Sequence, residues 1–290
     1  MATTSAAPSN RWWEVCAKAV ALDLPASLLE FPSWLFSEGE TRRISVGPSV
    51  AKATVGTGWT GRVLLDALSP QLDLDSAALV GLMDHAMEGP LWLDVSSRGA
   101  SLEGSMFSWP GGVEAWCSAV KPAAETLIGP LKAQRKLSGV ADILTNGHLV
   151  GTVLSVAPEL RLSAVFQVVG GVGSGDIDFS ALGSIAGLKE SDVALAKHWS
   201  DHFSNAGVRV LDVVVPALGS GGVELRWWNP GSEAARTFLS DVGAEGDALD
   251  RAEQLLRHSG RSDVARAVLD IRSSGRTWPR LVFVMGLATY

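Results

Sequence analysis

The chain has 290 residues, 47 % hydrophobic and 19 % charged, with a formal charge of −7 at pH 7. This composition buries a large core and excludes a disordered chain. The acidic balance excludes the basic stripe that holds nucleic acid, and no run of about 18 apolar residues offers a membrane-spanning helix.

Residues 1–10, MATTSAAPSN, lack the basic start and apolar run of a secretory signal. A flexible start to a cytoplasmic protein is expected, with a single domain over residues 11–290, a size that closed barrels reach. Cys16 and Cys117 have no CxxC partner, so buried free thiols are expected rather than a disulfide or a thiolate metal site.

In chain order, RWWEVCAKAVAL (11–22) has helical spacing, and its tryptophans and Trp34 are expected to anchor it. A first hairpin is expected from RRISVGPSVAKATVG (42–56) and GRVLLDALS (61–69), followed by a helix in DSAALVGLMDHAME (75–88). A second hairpin reads from PLWLDVSSRG and ASLEGSMFSW, turned at Arg98-Gly99. Residues 111–144 read as helix, broken near Gly129-Pro130.

The third hairpin is HLVGTVLSV with ELRLSAVFQVV, turned at Ala157-Pro158. A glycine-rich link, GGVGSGD (170–176), is expected to be a flexible connector to the helix KESDVALAKHWSDHFSNAG. The link lacks the Lys-Ser/Thr of a phosphate loop. The fourth hairpin is VRVLDVVVPAL with GGVELRWW, followed by helices in residues 232–260. The fifth is ARAVLDIRSSG with TWPRLVFVMGL.

Two strands and then helix recur five times. Strands so close in sequence pair antiparallel. Ten strands in an open sheet leave two edges to protect, and closing the sheet removes both. The expected fold is therefore α+β: a ten-stranded antiparallel β-barrel of five ααββ-type repeats, helices outside. Alternation then sorts the side chains. Val223, Leu225 and Trp227 would face the helices, and Glu224, Arg226 and Trp228 the lumen. In the third hairpin Leu160, Leu162, Ala164 and Phe166 share one face, with Arg161, Ser163 and Gln167 on the other. A solvated sheet face produces the same alternation; the helices, which need a sheet face to cover, favour the barrel.

The repeat and three strings resemble the soluble aromatic prenyltransferases, the ABBA or PT-barrel family. GVRVLDVVVPALGSGGVELRWW is similar to that family's central hairpin. ARAVLDIRSSGRTWPRLVFV resembles a later hairpin carrying a diphosphate-binding arginine, and ELRLSAVF a strand carrying a diphosphate-binding lysine. The resemblance is best over residues 90–288. It implies an enzyme of specialised metabolism that moves a prenyl group from an allylic diphosphate to an aromatic small molecule. By motif position, Arg280 takes the arginine's place and Arg161 the lysine's. Arg226 falls where the family has a tyrosine that shields the allylic cation, and Glu224 where it has an asparagine. Arg161, Arg226 and Arg280 would hold diphosphate, with Ser163, Gln167 and Trp228 lining the site. Glu103 lies near the magnesium-binding aspartate of some members, so the resemblance leaves Mg2+ open. Glu224, Asp94 and Glu103 are the implied acid–base or metal-binding carboxylates.

The chain departs from the family in having one tyrosine, Tyr290, against 11 tryptophans; Trp92, Phe107, Trp109 and Trp228 are the substitutes expected for the shield. The scarcity of tyrosine and lysine also suits a second function: a barrel cyclase or rearrangement enzyme acting on an aromatic or polyene intermediate without diphosphate. A non-catalytic carrier is a third. Several cationic groups converging in the lumen would favour the first function, one ion pair in an apolar cavity the second.

Other signals are weaker. His198 and His202 share a helix face, but the residue after the first is Trp199, not the Glu of a metalloprotease; two polar residues on an exposed face are expected. No G-x-S-x-G elbow occurs. Asp94, Asp212 and Asp270 recur on the first strand of a hairpin. They fit a lumenal base for the aromatic proton and, equally, a hydrogen bond to the neighbouring turn.

Overall fold

The computed structural model describes residues 42–47, 51–57, 91–96, 99–105, 111–141, 147–155, 161–242 and 264–285. The ten described strands are β1 (Arg42–Val46), β2 (Ala51–Thr57), β3 (Leu91–Ser96), β4 (Gly99–Ser105), β5 (His148–Ser155), β6 (Arg161–Val169), β7 (Val210–Leu218), β8 (Gly222–Trp228), β9 (Arg266–Arg272) and β10 (Thr277–Met285). The described helices are α1 (Gly112–Ile128), α2 (Pro130–Ala141), α3 (Phe179–Ala186), α4 (Glu190–Asn205) and α5 (Ser232–Asp241). Among them none is long and apolar enough to cross a membrane. The expected segments 1–10, 11–22, 61–69, 75–88, 142–144 and 243–260 and the turn at Ala157-Pro158, with Cys16, Trp34, Phe107, Trp109, Leu160 and Tyr290, lie outside the described residues.

The architecture is α+β. Every neighbouring strand pair is antiparallel, and the strand order β1-β10-β9-β8-β7-β6-β5-β4-β3-β2 closes on itself. The seam is β1 against β10, where Ile44 pairs with Phe283. Just past β1 the backbone comes so near that a Cβ on Gly47 would run into the Pro279 carbonyl oxygen.

The first hairpin differs from expectation. Both its strands lie within RRISVGPSVAKATVG, since β1 pairs β2 and β2 then pairs β3. β1 ends ahead of Pro48, whose nitrogen has no hydrogen to give a ladder. In the second hairpin Ser96 pairs Gly99, so Gly99 opens β4 instead of turning the chain. Another proline acts inside a strand: Pro216 pairs Ser163 while Leu162 pairs Leu218, and the register shifts between them.

One helix had no counterpart in the sequence reading. α3 is started by Asp178, whose carboxylate accepts from the Ser180 and Ala181 amides at 3.0 Å. It is stopped by Gly187 at φ 69. The link before it is tied down rather than loose. The Asp201 carboxylate accepts from the amide of Ser174 at 2.7 Å and from its hydroxyl at 2.8 Å, and Val172 is buried. The break at Gly129 is present, with φ 82.

The main core lies between strands and helices. Val223, Leu225 and Trp227 of β8 join Leu162, Ala164 and Phe166 of β6 and the α4 and α5 aromatics. The rings of Phe203 and Trp227 lie 4.8 Å apart, those of Trp199 and Phe238 4.9 Å. Truncating such a ring to Ala costs about 3–5 kcal/mol. The Trp116 indole donates to the Thr152 hydroxyl at 2.7 Å, fixing α1 on β5. Cys117 donates weakly to the Leu137 carbonyl at 3.6 Å, and burial pushes its thiol up. A second, smaller apolar cluster, Val150, Val153, Val165 and Val214, stands apart from this core. Val165 pairs Val214, which pairs Glu224. That cluster therefore belongs to the opposite, inner face.

Candidate active site

β8 carries the centre of the inner face. Glu224 and Arg226 are two residues apart and so share a side of the strand. The Arg226 Nε donates to Glu224 Oε1 at 2.5 Å. Arg280 arrives from β10, two strands away. Arg226 pairs Val268 of β9, and Val268 pairs Arg280. Two strand spacings are about 9–10 Å, which long side chains cross above the short Val268. The Arg280 Nη2 donates to Glu224 Oε2 at 2.7 Å. Each carboxylate oxygen thus takes one guanidinium, and all three residues are buried. Charge-assisted bonds of this length are the strong kind.

One turn of the alternation away, Asp212 of β7 gathers two donors. Its Oδ1 accepts from Gln167 Nε2 at 3.0 Å and its Oδ2 from Trp228 Nε1 at 2.8 Å. The Arg266 guanidinium lies 3.7 Å from the centre of the Trp228 ring. On the other side of Glu224, Asp270 accepts from Arg272 Nη2 at 2.9 Å. Asp212 and Asp270 therefore each bond a strand side chain. Trp228 differs from a free shield: one face of its ring carries Arg266.

Of the expected site residues, the structure brings together Glu224, Arg226 and Arg280, and separately Gln167 and Trp228 through Asp212. Arg161 and Ser163 lie toward the other end of β6, with Arg161 opposite Ser155 and Ser163 opposite Val153. Arg161 is 5 % exposed, and its Nε has no hydrogen-bond partner among the described residues. It makes no bond to Glu224. Asp94 is in register with Thr54 and Ser101, and Glu103 with Trp92 and Val153. Arg266 and Arg272 were missed; sharing the parity of Asp270 on β9 was the available signal.

Two metal readings can be tested on geometry. Glu224 carries a guanidinium donor on each oxygen, which leaves it no open position for a magnesium ion while both bonds stand. His198 is exposed, His202 contacts the Ala234 carbonyl at 3.3 Å, and no group of three ligating side chains forms among the described residues.

Comparison with solved structures decides the architecture. A 6-dimethylallyltryptophan synthase from Micromonospora olivasterospora, solved with DMASPP and Trp, is 16 % identical, with a TM-score of 0.63 over 96 % of both chains. The apo form of the prenyltransferase PriB reaches a TM-score of 0.65 at 13 % identity over 94 % of both chains. The chain has the aromatic prenyltransferase fold. AnaPT from Neosartorya fischeri shares this fold more distantly, at 10 % identity and a TM-score of 0.52 over 87 % of this chain and 80 % of its own. No protein-family model matches the chain, and no curated protein matches it in sequence.

Proposed function

We propose that the chain is an aromatic prenyltransferase of specialised metabolism. Its barrel is read as ten strands in five ααββ-type repeats, helices outside, forming one domain over residues 11–290. The reaction moves a prenyl group from an allylic diphosphate to an aromatic small molecule held in the lumen. The observation that carries this reading is the convergence of Arg226 and Arg280 on one buried point, in a fold whose similar structures include PriB with L-tryptophan and dimethylallyl thiolodiphosphate.

The chemistry asks for little else. The carbon–oxygen bond breaks and its electron pair leaves with the diphosphate, so cationic donors must hold the anion. Arg226 and Arg280 take that part, with Arg161, buried and short of a partner on Nε, as the third. An aromatic carbon then attacks the allylic cation, a carbon–carbon bond forms, and the ring proton passes to a carboxylate. Asp94 and Glu103 are the proposed bases. Ser163, Gln167 and Trp228 line the acceptor space, and the apolar wall around Val165 and Val214 keeps water from the cation.

A reaction without diphosphate would want one ion pair in an apolar lumen. Arg161, Arg226, Arg266 and Arg280 are all buried on these strands, which supports an anionic ligand instead.

The test is a direct assay with dimethylallyl and geranyl diphosphate against tryptophan and a panel of other aromatics, with and without Mg2+. Arg280→Ala is expected to lower kcat/KM by about 10²-fold or more. Calorimetry that finds no binding of either diphosphate overturns the reading.

A further inference from the structure

Two guanidiniums buried together, Arg226 and Arg280, each only 5 % exposed, cannot stand without a counter-charge. Removing one partner of such a buried pair leaves a charge that costs several kcal/mol. In the chain as it stands Glu224 supplies the counter-charge, with Oε1 on Arg226 and Oε2 on Arg280. Asp270, opposite Glu224 on β9, pairs with Arg272, and Asp212 takes Gln167 and Trp228. Accepting the diphosphate reading of the lumen, the leaving group and Glu224 seek the same two guanidiniums. The carboxylate then occupies the place meant for the ligand.

We propose that Glu224 is a built-in competitor of the diphosphate: its carboxylate pairs Arg226 and Arg280 in the empty barrel and must be displaced for an allylic diphosphate to bind. The arrangement does two things. It keeps the two arginines paired and aimed while the barrel is empty. It also sets a threshold on the incoming anion. A monoanion brings no more charge than the carboxylate already there and gains nothing by exchange, whereas a diphosphate brings several charges and spreads them over both guanidiniums. Discrimination of this kind comes from an element that opposes the wrong ligand, not from an added contact to the right one.

The experiment is calorimetric titration of wild type and Glu224→Gln with inorganic pyrophosphate, alongside melting curves of both proteins with and without it. The expected result is binding to Glu224→Gln about tenfold tighter or more than to wild type, one decade being about 1.4 kcal/mol. The variant should melt lower than wild type when empty and gain more from pyrophosphate, because a ligand stabilises the form that binds it. Equal or weaker binding to the variant, with wild type binding normally, overturns the competitor and leaves the diphosphate reading standing. Binding to neither protein overturns the diphosphate reading and the competitor with it. Should the variant fail to fold, a structure of wild type with pyrophosphate decides. Glu224 beyond hydrogen-bond reach of Arg226 or Arg280 supports displacement, and both bonds intact overturn it.

Discussion

Asp212 is a single carboxylate holding an amide from β6 and an indole from β8. It is buried, while Gln167 and Trp228 are half-buried, so water can take over part of what the donors would lose. Asp212→Ala is expected to lower stability by about 1–3 kcal/mol for each donor left unpaired, read from the midpoint of urea unfolding, with Trp228 losing its fixed tilt under Arg266. At this scale the sequence was half legible. Glu224 and Arg226 could be paired from spacing alone, since strand alternation puts i and i+2 on one face. Their third partner could not. Arg280 is 56 residues from Glu224 and meets it only because β8, β9 and β10 lie side by side. The stacking of Arg266 on Trp228 was equally hidden, because it depends on the register between two strands and not on either string.

Among the elements, hairpins three to five were readable because each strand alternates and each turn carries Gly or Pro. The first was not, because residues 42–56 read as one strand yet hold β1 and most of β2. Helix α3 escaped because it has only 8 residues, little more than two turns of periodicity, although its Asp178 cap and Gly187 stop were both in view. The tight hairpin between β7 and β8 shows how backbone geometry supports the site. Gly222 sits at φ 137, and a Cβ there would strike the Ile271 carbonyl oxygen and lie 3.0 Å from the Arg272 Cα. Gly222→Ala is expected to cost about 1–3 kcal/mol of stability, seen as a lower melting temperature. Gly175→Ala, where a Cβ meets nothing within 4 Å, should leave the melting temperature within a degree or so of wild type, as exposed neutral substitutions do.

For the whole molecule, closure matters more than any one strand. Each of the ten strands has two neighbours in the ring, so none can leave without opening the rest. The proposed single domain then has a measurable signature. Tryptophan fluorescence and far-ultraviolet circular dichroism should report one coincident urea transition; two separated transitions would divide the chain into independent units. The recurring strand-strand-helix pattern made closure legible, since ten strands with helices to cover them leave few other ways to hide two edges. What fills the lumen was not legible, because the inner residues of different strands meet only after the ring is formed.

The alternation along β8 also divides the labour of inheritance. Residues 223, 225 and 227 are bound to the helices, and a change in any of them disturbs the packing that keeps the protein folded. Residues 224, 226 and 228 face inward, where a change disturbs the polar pairs within and between strands. One strand seven residues long thus carries two nearly independent texts, one for standing and one for chemistry. A substitution on one face therefore leaves the contacts of the other face in place.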